Sequence, residues 1–390
     1  MDQNDYEYYK LVLAAFCAVA ISIGFGRFAY TPILPQMQEN LNLNSLTMGS
    51  IASWNYFGYL IGSIIPLFFS INKNLKLILI LSSVMIIFTT FLVGITKSIF
   101  LFSFFRFITG ISSALTFILG TSLIFSSAKI VKYKINLQSL PFAGIGLGIL
   151  LGTTIIWLSS IYALNWQIQW IFVSFLGIIF CLPIFYIPIN IDQKSSIETK
   201  LNNSDNSNFA FIFICLGYMF FGLGYIIFGT FISAMAKNTS ELNNFQYLSW
   251  IIVGISAVPS VMIWQNLSKK IGDDFSLSLA CLTTSLGIIF IINDNNISNS
   301  IMSCLLYGIG VPGSVALVLM EGKKRFAGSI KTSVAILTTL FSIGQISGPY
   351  IAGIIIDSNY GYIGSMYLSA ICLGVSGILM INPIRYKFNF

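Results

Sequence analysis

Charge is what this sequence lacks. Only 8% of its 390 residues are charged, against roughly 25% in an ordinary soluble domain, while 56% are hydrophobic. A soluble chain of this length could not cover its surface with 20 basic and 13 acidic side chains. A bilayer asks for no such cover. The shortage excludes a soluble enzyme and implies a polytopic membrane protein. Histidine is absent, which removes the commonest general base, proton relay and metal ligand. The six cysteines, Cys17, Cys181, Cys215, Cys281, Cys304 and Cys372, lie singly in apolar segments without CxxC or Cys/His spacing. Zinc and disulfide frameworks are thereby excluded, and small core residues are expected. A net charge of +7 would suit nucleic acid only if the cations clustered on one exposed face. They are scattered between apolar runs, so no nucleic-acid partner is expected. No Walker loop is present, so the chain is not its own ATPase, and no cofactor or metal is expected.

What is present is long apolar runs. A spanning helix needs about 20 apolar residues, and ten stretches carry no charge at all: 40–72, 77–96, 107–128, 135–191, 206–236, 242–268, 275–293, 295–320, 332–356 and 358–384. The fourth is long enough for two spans, broken at Asn165, Trp166 and Gln167. A further span runs from about Leu11 to Leu34, interrupted only by Arg27. Asp2, Asp5 and Glu7 ahead of it have the wrong sign for a signal peptide, so an uncleaved first helix is expected. Twelve spans follow. In alternate loops, sixteen basic residues, from Lys10 and Lys73 to Arg385 and Lys387, fall on one side, and only Lys97 and Lys237 on the other. That bias places both termini in the cytoplasm.

The longest polar stretch divides the chain into a six-span unit at 1–189, a cytoplasmic linker at 190–208 and a second six-span unit at 209–390. The two units repeat. Gly24-Phe25-Gly26-Arg27 parallels Gly222-Leu223-Gly224-Tyr225, and Ser53-Trp54 with Gly58 parallels Ser249-Trp250 with Gly254. Gly110, Gly144 and Gly148 parallel Gly310, Gly344 and Gly348. The fold class expected is all-α, with twelve transmembrane helices in two pseudo-symmetric six-helix bundles. Trp157, Trp166 and Trp170 flank a short outer turn and are expected in an interfacial aromatic belt.

The two basic residues left inside spans are Arg27 and Arg106. An arginine at a helix centre costs about 2.5 to 3.5 kcal/mol on the insertion scale and normally faces a cavity or a partner. Helical rise puts both at about 10 to 12 Å from the outer face. All thirteen acids lie in loops or at span ends, so no counter-charge is expected beside them. A guanidinium without one suits the paired oxygens of a carboxylate or phosphate. Tyr30 and Thr31 share the face of Arg27 at helical spacing. Asn55 and Tyr59 lie near the same level, Thr109 and Ser113 follow Arg106, Tyr218 and Tyr225 are seven apart, and Gln345 is a rare polar residue in the eleventh span. The expected substrate-binding set is Arg27, Tyr30, Asn55, Arg106, Tyr225 and Gln345.

Several motifs carry a resemblance. Arg106-Phe107-Ile108-Thr109-Gly110 with Ala114 resembles the Arg-x-x-x-Gly pattern in the fourth helix of the major facilitator superfamily. Gly24-Phe25-Gly26-Arg27-Phe28-Ala29-Tyr30-Thr31-Pro32-Ile33-Leu34-Pro35, followed by Trp54-Asn55-Tyr56-Phe57-Gly58-Tyr59, resembles its YbfB/YjiJ-like branch. Gly144 to Ile149 and Gly344 to Pro349 fit the same branch, so the resemblance spans nearly the whole chain. It implies a first helix that lines the cavity and a fourth-helix arginine that can instead grip backbone carbonyls of its neighbours. The superfamily's Gly-x-x-x-Asp-Arg-x-Gly-Arg loop is not kept: 70–76 holds Asn72, Lys73 and Lys76, and 264–272 holds Lys269, Lys270 and Gly272. Both lack the acid of that motif's charge lock.

The function expected is a secondary transporter moving a small organic anion, a carboxylate first, by alternating access. It is expected to be a monomer in a bacterial inner membrane, with protons as a candidate coupling ion. Two alternatives stay open: a facilitator or efflux exporter of a neutral or amphipathic compound, and a transporter-like sensor or scaffold. An enzyme is not expected.

Overall fold

A computed structural model of the chain describes residues 3–68, 74–125, 140–187, 205–242, 245–293, 296–326 and 330–381. Twelve long helical rods are found among these residues. The first, α1 (residues 3–41), joins Gln3–Val19, a π-helical segment Ala20–Phe28 and Tyr30–Leu41. After it come α2 (Ser45–Phe68), α3 (Leu75–Ile95), α4 (Ile99–Phe125), α5 (Leu140–Ile161) and α6 (Trp166–Phe185). The second half holds α7 (Asp205–Asn238), α8 (Phe245–Ile271), α9 (Asp273–Asn293), α10 (Ile297–Arg325), α11 (Ile330–Ile356) and α12 (Gly361–Met380). Eleven rods are long and apolar enough to cross a bilayer. The twelfth, α2, has 24 residues, enough for about 36 Å, and its Ser53 and Asn55 donate to the Ile346 carbonyl of α11 and the Arg106 carbonyl of α4.

The rods end where the sequence supplies caps. Asn42 takes a left-handed conformation at φ 51° and closes α1 by donating its backbone N–H to the Gln38 carbonyl. Two residues on, the Asn44 side chain accepts from Thr47 N at 2.9 Å and opens α2. Asn165 accepts from Ile168 N at 3.1 Å and starts α6, so the polar break read in the sequence is a helix N-cap. The first span is longer than expected, reaching Leu41 rather than Leu34.

Burial is inverted relative to a soluble protein. On α3, Leu77, Leu81, Met85 and Phe88 are exposed, while Ser82, Ser83, Thr89 and Thr90 point inward. There Thr116 donates to Ser82 Oγ at 2.8 Å, and the Thr89 and Thr109 hydroxyls meet at 2.8 Å. Lipid solvates the apolar stripe, so helix association rests on close packing and interhelical hydrogen bonds. Small residues allow that approach. A Cβ added to Gly24 of α1 would stand 2.5 Å from Gly148 of α5. In the other half, Gly222 of α7 lies against the Phe341 carbonyl of α11, and Gly344 against Met219. Not every glycine pairing keeps its contacts: Gly58 packs on Phe107 and Ile111 of α4 but Gly254 on Leu150 of α5, and Gly110 packs on Asn55 and Tyr59 of α2 but Gly310 on Thr284 and Ala280 of α9. The α10 glycine that meets α8, at Val253 and Ser256, is Gly308.

Helices α1–α6 pack among themselves, as do α7–α12, and the halves join where α1 meets α7, α2 meets α11 and α5 meets α8. The linker assigned to 190–208 lies almost wholly outside the described residues, as do Lys73, Lys129, Lys132, Lys134, Lys194, Lys200, Arg385 and Lys387. At the end of the bundle remote from the termini, α2 and α11 are latched. Asp357 Oδ1 and Oδ2 accept from Ser45 N at 3.0 Å and Leu46 N at 2.9 Å. Beside them Lys237 pairs with Glu39 at 2.5 Å.

All six cysteines are free and buried. The expected aromatic belt is not formed by Trp166 and Trp170, which are each only 1% exposed. Trp166 packs edge-on against Phe102 at 5.5 Å, and the Trp170 ring lies 5.8 Å from the Arg106 guanidinium carbon. Helix α6 turns both indoles into the bundle rather than toward the lipid headgroups.

Candidate functional site

The centre of α1 departs from α-helical geometry. All nine residues of Ala20–Phe28 are buried and π-helical, and Pro32, just beyond, has no N–H to offer the Phe28 carbonyl. Wider winding and a missing donor loosen the ladder, and such π turns recur at functional sites. Arg106 reaches in from α4 at this point. Its Nη1 donates to the Gly26 carbonyl at 2.7 Å and its Nη2 to the Arg27 carbonyl at 3.1 Å. Both terminal nitrogens are spent on backbone, with Nε left without a partner among the described residues, which is the structural role that the resemblance allowed.

Two other expected site residues join this frame. Asn55 Nδ2 donates to the Arg106 carbonyl at 2.8 Å. The Tyr30 hydroxyl donates to the Met48 carbonyl at 2.8 Å, and its ring lies 5.1 Å from the Arg106 guanidinium carbon. Tyr30, Asn55 and Arg106 together hold α1, α2 and α4 in register.

The remaining three form a second group where the halves meet. Arg27 is 4% exposed. Its guanidinium lies 4.1 Å over the Tyr59 ring and 5.2 Å over that of Tyr56. Its Nη1 donates to the Tyr225 hydroxyl at 3.4 Å, and Gln345 Nε2 donates to the same oxygen. Arg27 and Tyr225 are repeat mates 198 residues apart, so the contact sits on the pseudo-two-fold axis. The Tyr225 carbonyl in turn accepts from the Tyr307 hydroxyl at 2.8 Å. Arg27 Nε and Nη2 and Gln345 Oε1 have no hydrogen-bond partner among the described residues. No ion pair involves either interior arginine among those residues.

Sequence reasoning missed Phe341, which stacks on Tyr225 with ring centroids 5.6 Å apart, and Tyr307. Both read as ordinary apolar-span aromatics. Their one signal was helical register, Phe341 lying four residues before Gln345. It missed the π turn as well, although Gly24 and Gly26 lie within it and Pro32 follows it.

Two surface concavities lie away from the arginines. One, of about 420 Å³, is lined by Glu39, Asn42, Lys237 and Asn238 at the latched end. Another, of about 340 Å³, runs between α2 and α11 past Ser53, Trp54, Phe57 and Tyr350. At the opposite end residues 264–271, expected as a loop, are the last turns of α8, and the acid missing from 264–272 is supplied one residue later. Lys324 donates to Asp273 and, at 3.1 Å, to Glu321, while Arg325 Nε bonds Glu321 at 3.2 Å and its Nη2 bonds the Met380 carbonyl at 2.8 Å. Burial works against the Lys324 charge, but the bonds to Asp273 and Glu321 outweigh it and raise its pKa. Burial prevails at Arg325 and lowers its pKa despite Glu321 and Asp274. A charge lock thus ties α9, α10 and α12 within the second half.

The profile of the family described as uncharacterised MFS-type transporter YbfB matches residues 19–381. No curated protein matches significantly. Among solved structures, a mutant of the nucleoside transporter NupG superposes with a TM-score of 0.70 at 12% identity, covering 97% of this chain and 100% of that one. A bacterial homologue of the human lysosomal transporter Spinster, in an inward-facing and occupied conformation, superposes with a TM-score of 0.70 at 15% identity, covering 99% and 98%. At these identities the structures establish the fold, and the family match establishes the rest. The chain belongs to the YbfB-type family of the major facilitator superfamily, and it is a multi-pass membrane transporter of a small molecule rather than an enzyme.

Proposed function

We propose that this transporter moves a small organic anion bearing a carboxylate, by alternating access, and that Arg27 is the group that binds it. One observation carries the reading: Arg27 is buried between the halves with Nε and Nη2 free among the described residues and no acid paired to it. A buried cation left in that state is costly, and a bidentate carboxylate would satisfy that edge of the fork. Arg106, by contrast, commits both terminal nitrogens to carbonyls and leaves only Nε free among the described residues. Tyr225, itself bonded by Gln345, holds Arg27 from the second half, so an anion bound there touches both bundles and biases their relative position.

The loop charge bias supports an inner-membrane orientation with both termini cytoplasmic. The latched end is then the outer gate, closed by Asp357 on α2 and by the Glu39–Lys237 pair. Among the described residues no acid meets the interior arginines, so a proton coupled to transport travels on the substrate carboxyl or through an acid at a cavity mouth. The chain works as a monomer in this reading. Ligand stabilisation of the purified protein, run beside Arg27→Ala, tests it. Carboxylates are expected to stabilise the wild type and not the variant. Stabilisation by amines alone, or equal stabilisation of both proteins by carboxylates, would sink the proposal.

A further inference from the structure

A carboxylate alone leaves one feature of the Arg27 site unexplained, the flat rings beside it. Tyr218 and Phe341 stack with centroids 4.3 Å apart and planes within 13°. Phe341 continues onto Tyr225 at 5.6 Å and 7°, and Tyr225 onto Phe221 at 5.3 Å and 13°. Elsewhere ring pairs meet edge-on or tilted, as Phe25 with Phe180 at 90° and Phe117 with Phe142 at 73° do. Among the described residues, every parallel pair belongs to these four rings. Tertiary packing elsewhere in this chain therefore does not impose parallel planes, and their confinement to this site calls for a local cause.

Two details tie the stack to the arginine. Tyr225 belongs to both, since its ring closes the stack and its hydroxyl accepts from Arg27 Nη1. Glycine makes room for the central ring: a Cβ on Gly222 would come 3.0 Å from Phe341 Cδ2. On the side of the first half, Tyr59 and Tyr56 cover the face of the guanidinium, so its free Nε and Nη2 atoms define an edge-on approach. An anion arriving there lies beside parallel aromatic planes. Offset stacking favours a flat π system against such planes, whereas a saturated ring or branched chain gains no such contact.

We infer that the preferred substrate class is a planar aromatic carboxylate, its carboxylate on the Nε and Nη2 edge of Arg27 and its ring aligned with the stack of Tyr225, Phe341 and Tyr218. This rests on the carboxylate reading of Arg27 and adds the shape of the rest of the molecule. A neutral aromatic compound would leave the guanidinium unpaired, and an aliphatic acid would leave the parallel planes without a role.

Calorimetric titration of the full chain in detergent with benzoate and indole-3-carboxylate, against cyclohexanecarboxylate, decides the matter. The aromatic anions are expected to bind at least tenfold more tightly than the saturated one. Arg27→Gln is expected to abolish binding of all three. Phe341→Leu is expected to cut the aromatic preference below threefold while Arg27-dependent binding of cyclohexanecarboxylate persists, and Phe341→Tyr to restore the preference, which separates loss of stacking from misfolding. If cyclohexanecarboxylate binds through Arg27 as tightly as the aromatic anions, the inference falls and the carboxylate reading stands. If none of the three binds, or if binding ignores Arg27→Gln, both fall.

Discussion

The two halves repeat the same helices but hold their centres together differently. In the first, the α1 backbone at Arg27 is π-helical and its carbonyl accepts from a charged donor, Arg106 of α4. In the second, α7 is an unbroken 34-residue helix, and the carbonyl at the equivalent position, Tyr225, accepts from a neutral hydroxyl, Tyr307 of α10. The same interhelical hydrogen bond is made twice, once by a cation and once by a phenol. Where Arg106 stands in α4, the position 198 residues later is Cys304, buried and free. The first half therefore concentrates cation and loosened backbone on the axis, and the second supplies rings. A substrate that touches both would meet charge on one side and flat apolar surface on the other.

Breaking the two interhelical bonds separately gives the largest contrast. Hydrogen bonds to a charged group contribute about 1.5 to 3 kcal/mol each and neutral ones about 1. Arg106→Ala, which strips two carbonyls of their donor, is expected to destabilise the protein by about 3 kcal/mol, and Tyr307→Phe by about 1 kcal/mol. Unfolding midpoints in detergent read both. Equal losses would mean that the π turn does not depend on Arg106.

The two arginines are then set against each other. Arg27→Met is expected to leave the unfolding midpoint unchanged or raised, because a buried unpaired cation is replaced by a packed apolar chain. Carboxylate affinity is expected to fall at least thirtyfold, about 2 kcal/mol. Tyr225→Phe, which removes the phenol that holds Arg27 but keeps the ring, is expected to cost less than threefold. A variant at Arg27 that loses stability and keeps binding would make Arg27 the structural arginine and leave Arg106 to meet the substrate.

Much of this frame was legible in the sequence, for reasons visible in particular residues. Arg27 and Arg106 stood out because a charge inside an apolar run has few cheap solutions, and the glycine repeat put Arg27 and Tyr225 at equivalent positions, where the structure brings them into contact. What was hidden depended on helix rotation and local winding. Trp166 and Trp170 face the bundle, not the headgroups, because an indole near a span end fits either place and only the azimuth of α6 decides. The π turn left only Gly24, Gly26 and Pro32 as a trace. The Asp273–Lys324–Glu321–Arg325 cluster escaped the motif because its acid is displaced past Gly272.

The contact between the halves at the latched end is a smaller lever. Asp357, from the second half, caps the first two N–H groups of α2, where the helix dipole favours a negative charge. Asp357→Ala is expected to cost the closed state about 1 kcal/mol. Met48 is fully buried behind this contact, so a cysteine placed there reports opening. Maleimide labelling of Met48→Cys is expected to speed up about fivefold when Asp357→Ala is added. Unchanged labelling would mean that backbone packing at Gly49 and Gly353 closes this end without the acid.

The weakest link is the other latch. Glu39 is 59% exposed and Lys237 22%, and exposed ion pairs contribute between nothing and about 1 kcal/mol. Glu39→Gln is expected to raise the same labelling rate by less than threefold. Salt separates the two contacts, because an exposed pair is screened whereas a carboxylate bonded to two backbone N–H groups is shielded. Raising ionic strength is expected to erase the effect of Glu39→Gln and to leave that of Asp357→Ala in place. If salt alone opens this end as far as Asp357→Ala does, the ion pair is the principal latch and the Asp357 cap the lesser one.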